Sequence, residues 1–197
     1  MNYIDPRVKR SRQKLKDALV SLTLERGYEG ISIQALTDRA KVGYATFHRH
    51  YDSIDDLTER LLKGVVADLD ERICQNLSVV DEPLAFWRYV KAHAAIFRFY
   101  LALPPKHPAR NVFISGSTYF VTQRYRARNP ERVPLDVAVQ HMVQGLENLL
   151  ILYMDDIDAY SPEQMATFLH DLVIQAAAVE LRPDWLQENP AYQLESV

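Results

Sequence analysis

The chain has 197 residues, 48% of them apolar and 25% charged, which is ordinary globular composition with enough apolar mass to core one or two domains. It opens without an apolar leader, and no apolar run nears the roughly 18 residues of a membrane helix, so a cytoplasmic chain without a membrane partner is expected. The net charge of −3 conceals a split, because residues 1–51 hold 10 Lys and Arg against 5 Asp and Glu while the remainder holds 13 against 21.

Leu15, Ala18, Leu19 and Leu22 fall on one stripe of a first helix, which Gly27 stops. Ser32 is placed to cap a second helix, on which Ile33, Leu36 and Ala40 recur at helical spacing. Lys41-Val42-Gly43 interrupts the pattern, and Phe47 and Tyr51 then recur four apart on a third, short helix. With those apolar positions inward, Tyr44, Ala45, Thr46, His48 and Arg49 are left largely outside. Two short helices across a tight break predict a helix-turn-helix, whose second helix enters a major groove. The alternative is a plain helical hairpin. The excess of cations confined to this segment favours phosphate binding, and the acidic remainder argues against a chain that coats nucleic acid all over.

Ser53, with Asp55 and Asp56 in the first turn, predicts the cap of a long fourth helix with an inner stripe of Ile54, Leu57, Leu61, Val65, Leu69 and Ile73. Cys74, the single cysteine, excludes an internal disulfide framework and reads as a small apolar filler. Residues 84–103 predict one helix, apolar nearly all round. Two more long helices are expected over 135–154 and 162–181, and proline-bearing stretches mark the breaks between the later elements. No segment alternates as a strand does. The expected fold is all-α, with about nine helices.

In its first 65 or so residues the sequence resembles the TetR family of bacterial transcriptional regulators. The residues that carry the likeness are Arg10-Ser11-Arg12-Gln13-Lys14, Leu24-Glu25-Arg26-Gly27-Tyr28, Ser32-Ile33-Gln34-Ala35-Leu36 and Thr46-Phe47-His48-Arg49-His50-Tyr51, with a weaker local likeness over Tyr160–Ala166. The sequence departs from the family pattern at Lys41, where a turn Gly is usual, and at Gly43, where a small capping residue is usual. It departs again at His48, where relatives place a DNA-touching Tyr, and at Ile54, where a phosphate-reaching Lys often stands. The resemblance implies a helix-turn-helix DNA-binding domain over residues 1–52 and a helical effector-binding and dimerisation domain over 53–197. The expected DNA contacts are Tyr44, Thr46 and His48 at base edges, flanked by Gly43 and Ala45. Ser32, Gln34, Lys41, Arg49, His50 and the arm from Arg7 to Lys14 are expected at phosphates.

The stripe of Phe86, Tyr89, His93, Ile96, Phe97 and Tyr100 mixes apolar walls with polar tips, as do Tyr119, Gln123, Tyr125, His141 and Gln144 on later helices. Apolar walls with a few convergent polar groups suit a small-molecule site, although plain core packing makes similar stripes. The resemblance implies an effector pocket here, so Phe86, Tyr89, His93, Phe97, Tyr100, Tyr119, Gln123, His141 and Gln144 are the expected lining. It also implies that the last two helices pair with their copies in a second subunit, through Met142, Leu146, Leu149, Leu150, Phe168, Leu172 and Ala176.

Enzyme signatures are lacking. The sequence has no Gly-x-Ser-x-Gly, no phosphate-cradling glycine loop and no His-Glu-x-x-His. His48 and His50 sit two apart on different sides of a helix, a poor metal pair, so neither cofactor nor metal is expected. The expectation is a homodimeric, ligand-responsive regulator of transcription that acts by repression on double-stranded DNA. Two alternatives stay open: a relative that acts by protein contact without operator binding, and a small-molecule binding protein that merely retains the hairpin.

Overall fold

The computed structural model describes residues 5–74, 81–125 and 134–175, and no side chain at 74 or 123–125. Nine α-helices and no strand occur among the described residues. They are α1 (Pro6–Arg26), α2 (Ile33–Ala40), α3 (Tyr44–His50), α4 (Ile54–Leu69), α5 (Glu82–Ala92), α6 (Ala94–Ala102), α7 (Pro108–Tyr125), α8 (Leu135–Asp155) and α9 (Pro162–Leu169). Two π-helical turns prolong the set, Asp70–Cys74 after α4 and His170–Ile174 after α9. No helix among the described residues is long and apolar enough to cross a membrane.

Local chemistry sets the ends of these helices. Asp5 accepts from the Arg7 N–H at the start of α1, and Gly27, with φ at 82°, turns the chain out of it. Ser32 Oγ accepts from the Ala35 N–H, and Ser53 Oγ from the Asp56 N–H, both as the sequence predicts. At α9, Ser161 and Gln164 exchange side-chain and backbone hydrogen bonds in a full capping box. The end of α2 is a Schellman turn, in which the Val42 N–H reaches Thr37 O and the Lys41 N–H reaches Asp38 O. Its left-handed residue is Lys41, with φ 52° and ψ 48°.

One apolar core runs from Leu15 in α1 to Val173 beyond α9 without interruption at residue 52. The first three helices pack around Leu15, Leu19, Leu36 and Phe47, all of them fully buried. On α4, Leu57, Leu61 and Leu62 join that cluster, while Leu69 and, past its end, Ile73 belong to the cluster shared with α5, α7 and α8. The same helix therefore serves both ends of the molecule.

The single helix expected over 84–103 is two. The chain breaks at His93, with φ −118° and ψ 30°, and His93 closes α5 by placing Nδ1 2.9 Å from Tyr89 O. The Tyr89 and His93 rings stack at 4.1 Å between centroids. A composition pattern carries no signal for this break, because neither Pro nor Gly marks it. The helix expected over 162–181 is described as far as Gln175, with a π-helical turn inside it.

Two glycines let helices approach closely. A methyl at Gly116 on α7 would stand 2.7 Å from a Val66 methyl on α4, and one at Gly145 on α8 would stand 2.8 Å from a Val173 methyl. Ordinary carbon contacts begin near 3.5 Å, so neither site admits a side chain without a shift. Gly116→Ala is expected to lower folding stability by roughly 1–3 kcal/mol. Urea unfolding of the full chain reads this as a lower midpoint at unchanged slope. An unchanged midpoint would show that Val66 yields freely.

Candidate functional site

On α3, Phe47 is fully buried and anchors the helix, so the remaining positions face outward. Tyr44, Ala45, His48 and Arg49 are exposed, and Thr46 and His50 are half-buried. Tyr44 and His48 lie one turn apart with ring centroids at 4.7 Å, so the imidazole steadies the most exposed ring of the helix. Lys41 and Gly43 are exposed just before α3, and Ser32 and Gln34 are exposed at the start of α2, with Gln34 Nε2 donating to Asp38. Arg12 on α1 comes close enough to His50 and Tyr51 for its charge to act on both. Burial, then the Arg12 and Arg49 charges, hold the His50 imidazole below its ordinary value. Of the ten expected DNA-contact residues, eight are exposed and Thr46 and His50 are half-buried.

One exposed ion pair links α2 to α1. Arg39 on α2 donates to both carboxylate oxygens of Glu25 on α1 at 2.6 Å, and to Ser21 Oγ. The Arg39 bonds, then the bond from Ser21, pull the Glu25 carboxyl down to about 2 from an ordinary 4.5.

A second junction joins the reading head to the rest. Tyr28, in the α1–α2 loop, donates to Asp55 Oδ1 at 2.6 Å and lies 3.0 Å from Thr58 Oγ1, both on α4. His107, just before α7, accepts at Nδ1 from the Ala109 N–H, which leaves Nε2 to donate to the same Asp55 oxygen at 3.2 Å. The Tyr28 and His107 rings meet edge to face at 4.8 Å. Tyr28, then His107, hold the Asp55 carboxyl below its ordinary value, and burial pushes the Tyr28 hydroxyl up. Ile54, in place of the expected Lys, packs half-buried beside this junction. No motif flags the junction, since its residues are 27 and 52 apart in sequence.

An apolar cavity of about 160 Å³ lies at the other end of α4. Val66, Leu69 and Ile73 form its α4 wall, Pro83 and Phe86 its α5 wall, and Phe113, Ser117, Phe120 and Val121 its α7 wall. Met142, Leu146, Leu169, Val173 and Ile174 close it, and the half-exposed Glu82 completes the lining.

Of the expected effector residues, only Phe86 lines this cavity. Phe97 is buried behind it, edge to face with Phe86 and Phe113. Tyr100 is buried and donates to Glu147, which also pairs with Arg110 at 2.7 Å. Tyr89 is bonded to Asp68 on α4, and His93 is exposed at the helix break. Tyr119 and His141 are exposed, and Gln144 borders a separate groove between α7 and α8. The side chains of Gln123 and Tyr125 lie outside the described residues. The Tyr89 and Tyr100 hydroxyls instead pair with the Asp68 and Glu147 carboxylates, and His93, Tyr119 and His141 are exposed. The lining of this cavity comes from residues whose spacing reads as ordinary core.

The expected interface residues divide likewise. Met142 and Leu146 line the cavity, Leu149 and Leu150 are buried within the subunit, and Phe168 packs edge to face on Tyr160. Leu172 is exposed, and Ala176 lies outside the described residues. The outward face of α8 carries Val137, His141, Gln144, Asn148, Ile151 and Leu152, all exposed, and its apolar members were not foreseen.

Residues 15–61 match the family described as bacterial regulatory proteins, tetR family. Residues 15–61 are thus similar to the N-terminal domain of that family. A curated relative, an uncharacterised HTH-type transcriptional regulator named YxbF from Bacillus subtilis strain 168, is 30% identical over 84 residues. That stretch is 42% of this chain but spans only 21% of the relative. Among solved structures, NalD of Pseudomonas aeruginosa, the secondary repressor of a multidrug efflux pump, matches with a TM-score of 0.70 at 15% identity. The match covers 88% of this chain and 98% of NalD. The regulator FadR of Bacillus subtilis, solved with stearoyl-CoA, matches at 0.63 and 12% identity over 82% of this chain and 97% of FadR. At such identities the likeness shows the fold alone, over the part of this chain that is covered.

The Glu25–Arg39 pair makes a pH prediction. A depressed carboxyl contributes stability above its unfolded value of about 4.5 and loses it as pH falls toward 2. Wild type is therefore expected to melt above Glu25→Gln near pH 6, with the gap shrinking below pH 4.5 and closing near pH 2. A gap constant down to pH 3 would remove the ion pair from the account.

Proposed function

We propose that the chain is a ligand-responsive transcriptional regulator that binds a palindromic operator as a homodimer in the cytoplasm, acts as a repressor, and is released by a small-molecule effector. The observation that carries this reading is the double role of α4. Its first half is packed beneath the α1–α3 reading head, and its second half forms one wall of the cavity. A molecule that moves α7 against α4 at Val66 displaces the helix on which the reading head sits. The Tyr28–Asp55–His107 junction would carry the same displacement directly from the start of α7. Such an effector acts only through unequal affinity for the two arrangements.

In this reading residues 1–52 are the DNA-binding domain and residues 53–197 the effector and dimer domain. Tyr44, Thr46 and His48 meet base edges, and Lys41, Arg49, His50, Arg12, Ser32 and Gln34 hold phosphates. The outward face of α8, through Val137, Ile151 and Leu152, together with Leu172, pairs with its copy, so that two α3 helices meet successive major grooves. This replaces the buried Leu149 and Leu150 with residues that a second subunit can reach. Fluorescence anisotropy at stated salt, on duplex DNA from upstream of the chain's own gene, tests the reading. Salt-sensitive binding of a dimer supports it, and no affinity for any duplex overturns it.

Two variants separate the roles. Thr46→Ala is expected to weaken operator binding by about 1–3 kcal/mol and relax one operator position, while affinity for random duplex is unchanged. Equal loss on both would move Thr46 to the phosphate set. Lys41→Gly relieves a left-handed residue and is expected to raise folding stability by roughly 1 kcal/mol. It also removes a cation, so the slope of log affinity against log salt should fall by about 1. Higher stability with an unchanged slope would show that Lys41 touches no phosphate.

A further inference from the structure

We infer that the cavity between α4, α5 and α7–α9 takes an uncharged, apolar molecule of about one ring, and is closed to carboxylates and to long-chain acyl thioesters. The inference rests on the proposal that this cavity is the effector site, and it names what that site accepts.

Size comes first. The cavity holds about 160 Å³, close to the roughly 150 Å³ of an engineered apolar cavity that stays dry and binds benzene. One ring with a short substituent fills such a space, and a long acyl chain overruns it.

Chemistry narrows the class further. No Lys, Arg or His stands among the described residues that line the cavity. Its polar lining residues are Glu82 and Ser117, a carboxylate and a hydroxyl. An anionic ligand would lose its water without meeting a cation among the described lining residues. The rings of Phe86, Phe113 and Phe120 instead offer edges and faces to another ring. Ser117 leaves one hydroxyl to pair with a single polar substituent.

The void is not general looseness. Val66 and Val173, which line it, are the two residues against which Gly116 and Gly145 are packed too tightly to admit a methyl. Each flank of the cavity is thus a close helix contact, while the space between them is unfilled. Both π-helical turns also abut it, contributing Ile73 from one and Val173 with Ile174 from the other. Such turns break the regular ladder and occur often at functional sites.

The test uses the full chain without DNA, with toluene, p-cresol, benzoate and palmitoyl-CoA as probes at neutral pH. Toluene and p-cresol are expected to raise the melting temperature with concentration, as a ligand of the folded state does. They should also shift the methyl resonances of Val66, Leu146 and Val173. Benzoate and palmitoyl-CoA should do neither at the same concentrations. Val121→Phe, which fills the space, is expected to weaken toluene binding at least tenfold. The methyl shifts in wild type locate the site even where that variant folds poorly. Benzoate or palmitoyl-CoA binding as tightly as toluene overturns the inference, and so do first shifts on methyls remote from the cavity. A ring that binds here but leaves operator affinity unchanged overturns the effector reading while the cavity assignment stands.

Discussion

Everything in this molecule depends on α4 being shared. A helix of this length would normally bury one stripe against one neighbour, yet this one spreads its stripe along both ends of one core. Leu57, Leu61 and Leu62 belong to the reading head, while Val66, Leu69 and, one turn on, Ile73 belong to the cavity end. A rigid element packed along one continuous core cannot shift at one end without cost at the other, because close-packed interiors transmit strain. The contact of Gly116 with Val66 places α7 on α4 with no slack, immediately beside the one wall that lacks packing partners.

Polar chemistry then confines the ways in which α4 can move. At its N-terminal end, Asp55 accepts from both Tyr28 and His107, so a loop of the reading head and the start of α7 hold one carboxylate oxygen. Further along, Asp68 is bonded to Arg72 and Tyr89, which ties α4 to α5. Away from α4, Glu147 on α8 accepts from Tyr100 on α6 and Arg110 on α7, while the guanidinium lies 5.0 Å over the Tyr100 ring. That cluster is largely buried and well satisfied. Removing one member would leave a charge without its partner, which costs far more than the pair contributes, so it favours one arrangement of α6, α7 and α8. The helices are thus pinned by directional bonds as well as by the apolar contacts of the core.

The sequence revealed the reading head in detail and the second half only in outline. Caps at Ser32 and Ser53, the stop at Gly27 and the inner stripes of α1 to α4 follow from local rules that act over a few residues. The cavity and the polar junctions do not, since they join residues from five helices and their chemistry is that of any core. Tyr100 illustrates the limit. Its spacing suggested a pocket wall, but its hydroxyl has an internal partner 47 residues away that no periodicity reveals. Leu149 and Leu150 show the same limit for interfaces. A helix apolar on more than one side reads alike whether it is buried by its own chain or by another, and the exposed Ile151 and Leu152 are one register step away. His93 broke a helix that composition alone would continue.

The distribution of rigidity supports the proposed division of labour. The groups placed to meet DNA are held by few bonds of their own, whereas the elements beneath them are locked by the Arg39–Glu25 fork, the caps and a fully buried Phe47. Recognition side chains then adapt to a duplex while their helix keeps its angle. At Lys41 the chain keeps a side chain in a conformation that glycine adopts more easily, on the rim of the same surface. Stability alone gives no reason for that choice, and the phosphate contact proposed for Lys41 would. The cavity makes a parallel case, because an unfilled space forfeits dispersion contacts that any larger core residue would recover. Both departures from the most stable arrangement lie where the proposed regulator would meet its ligands, and α4 is the one helix that connects them.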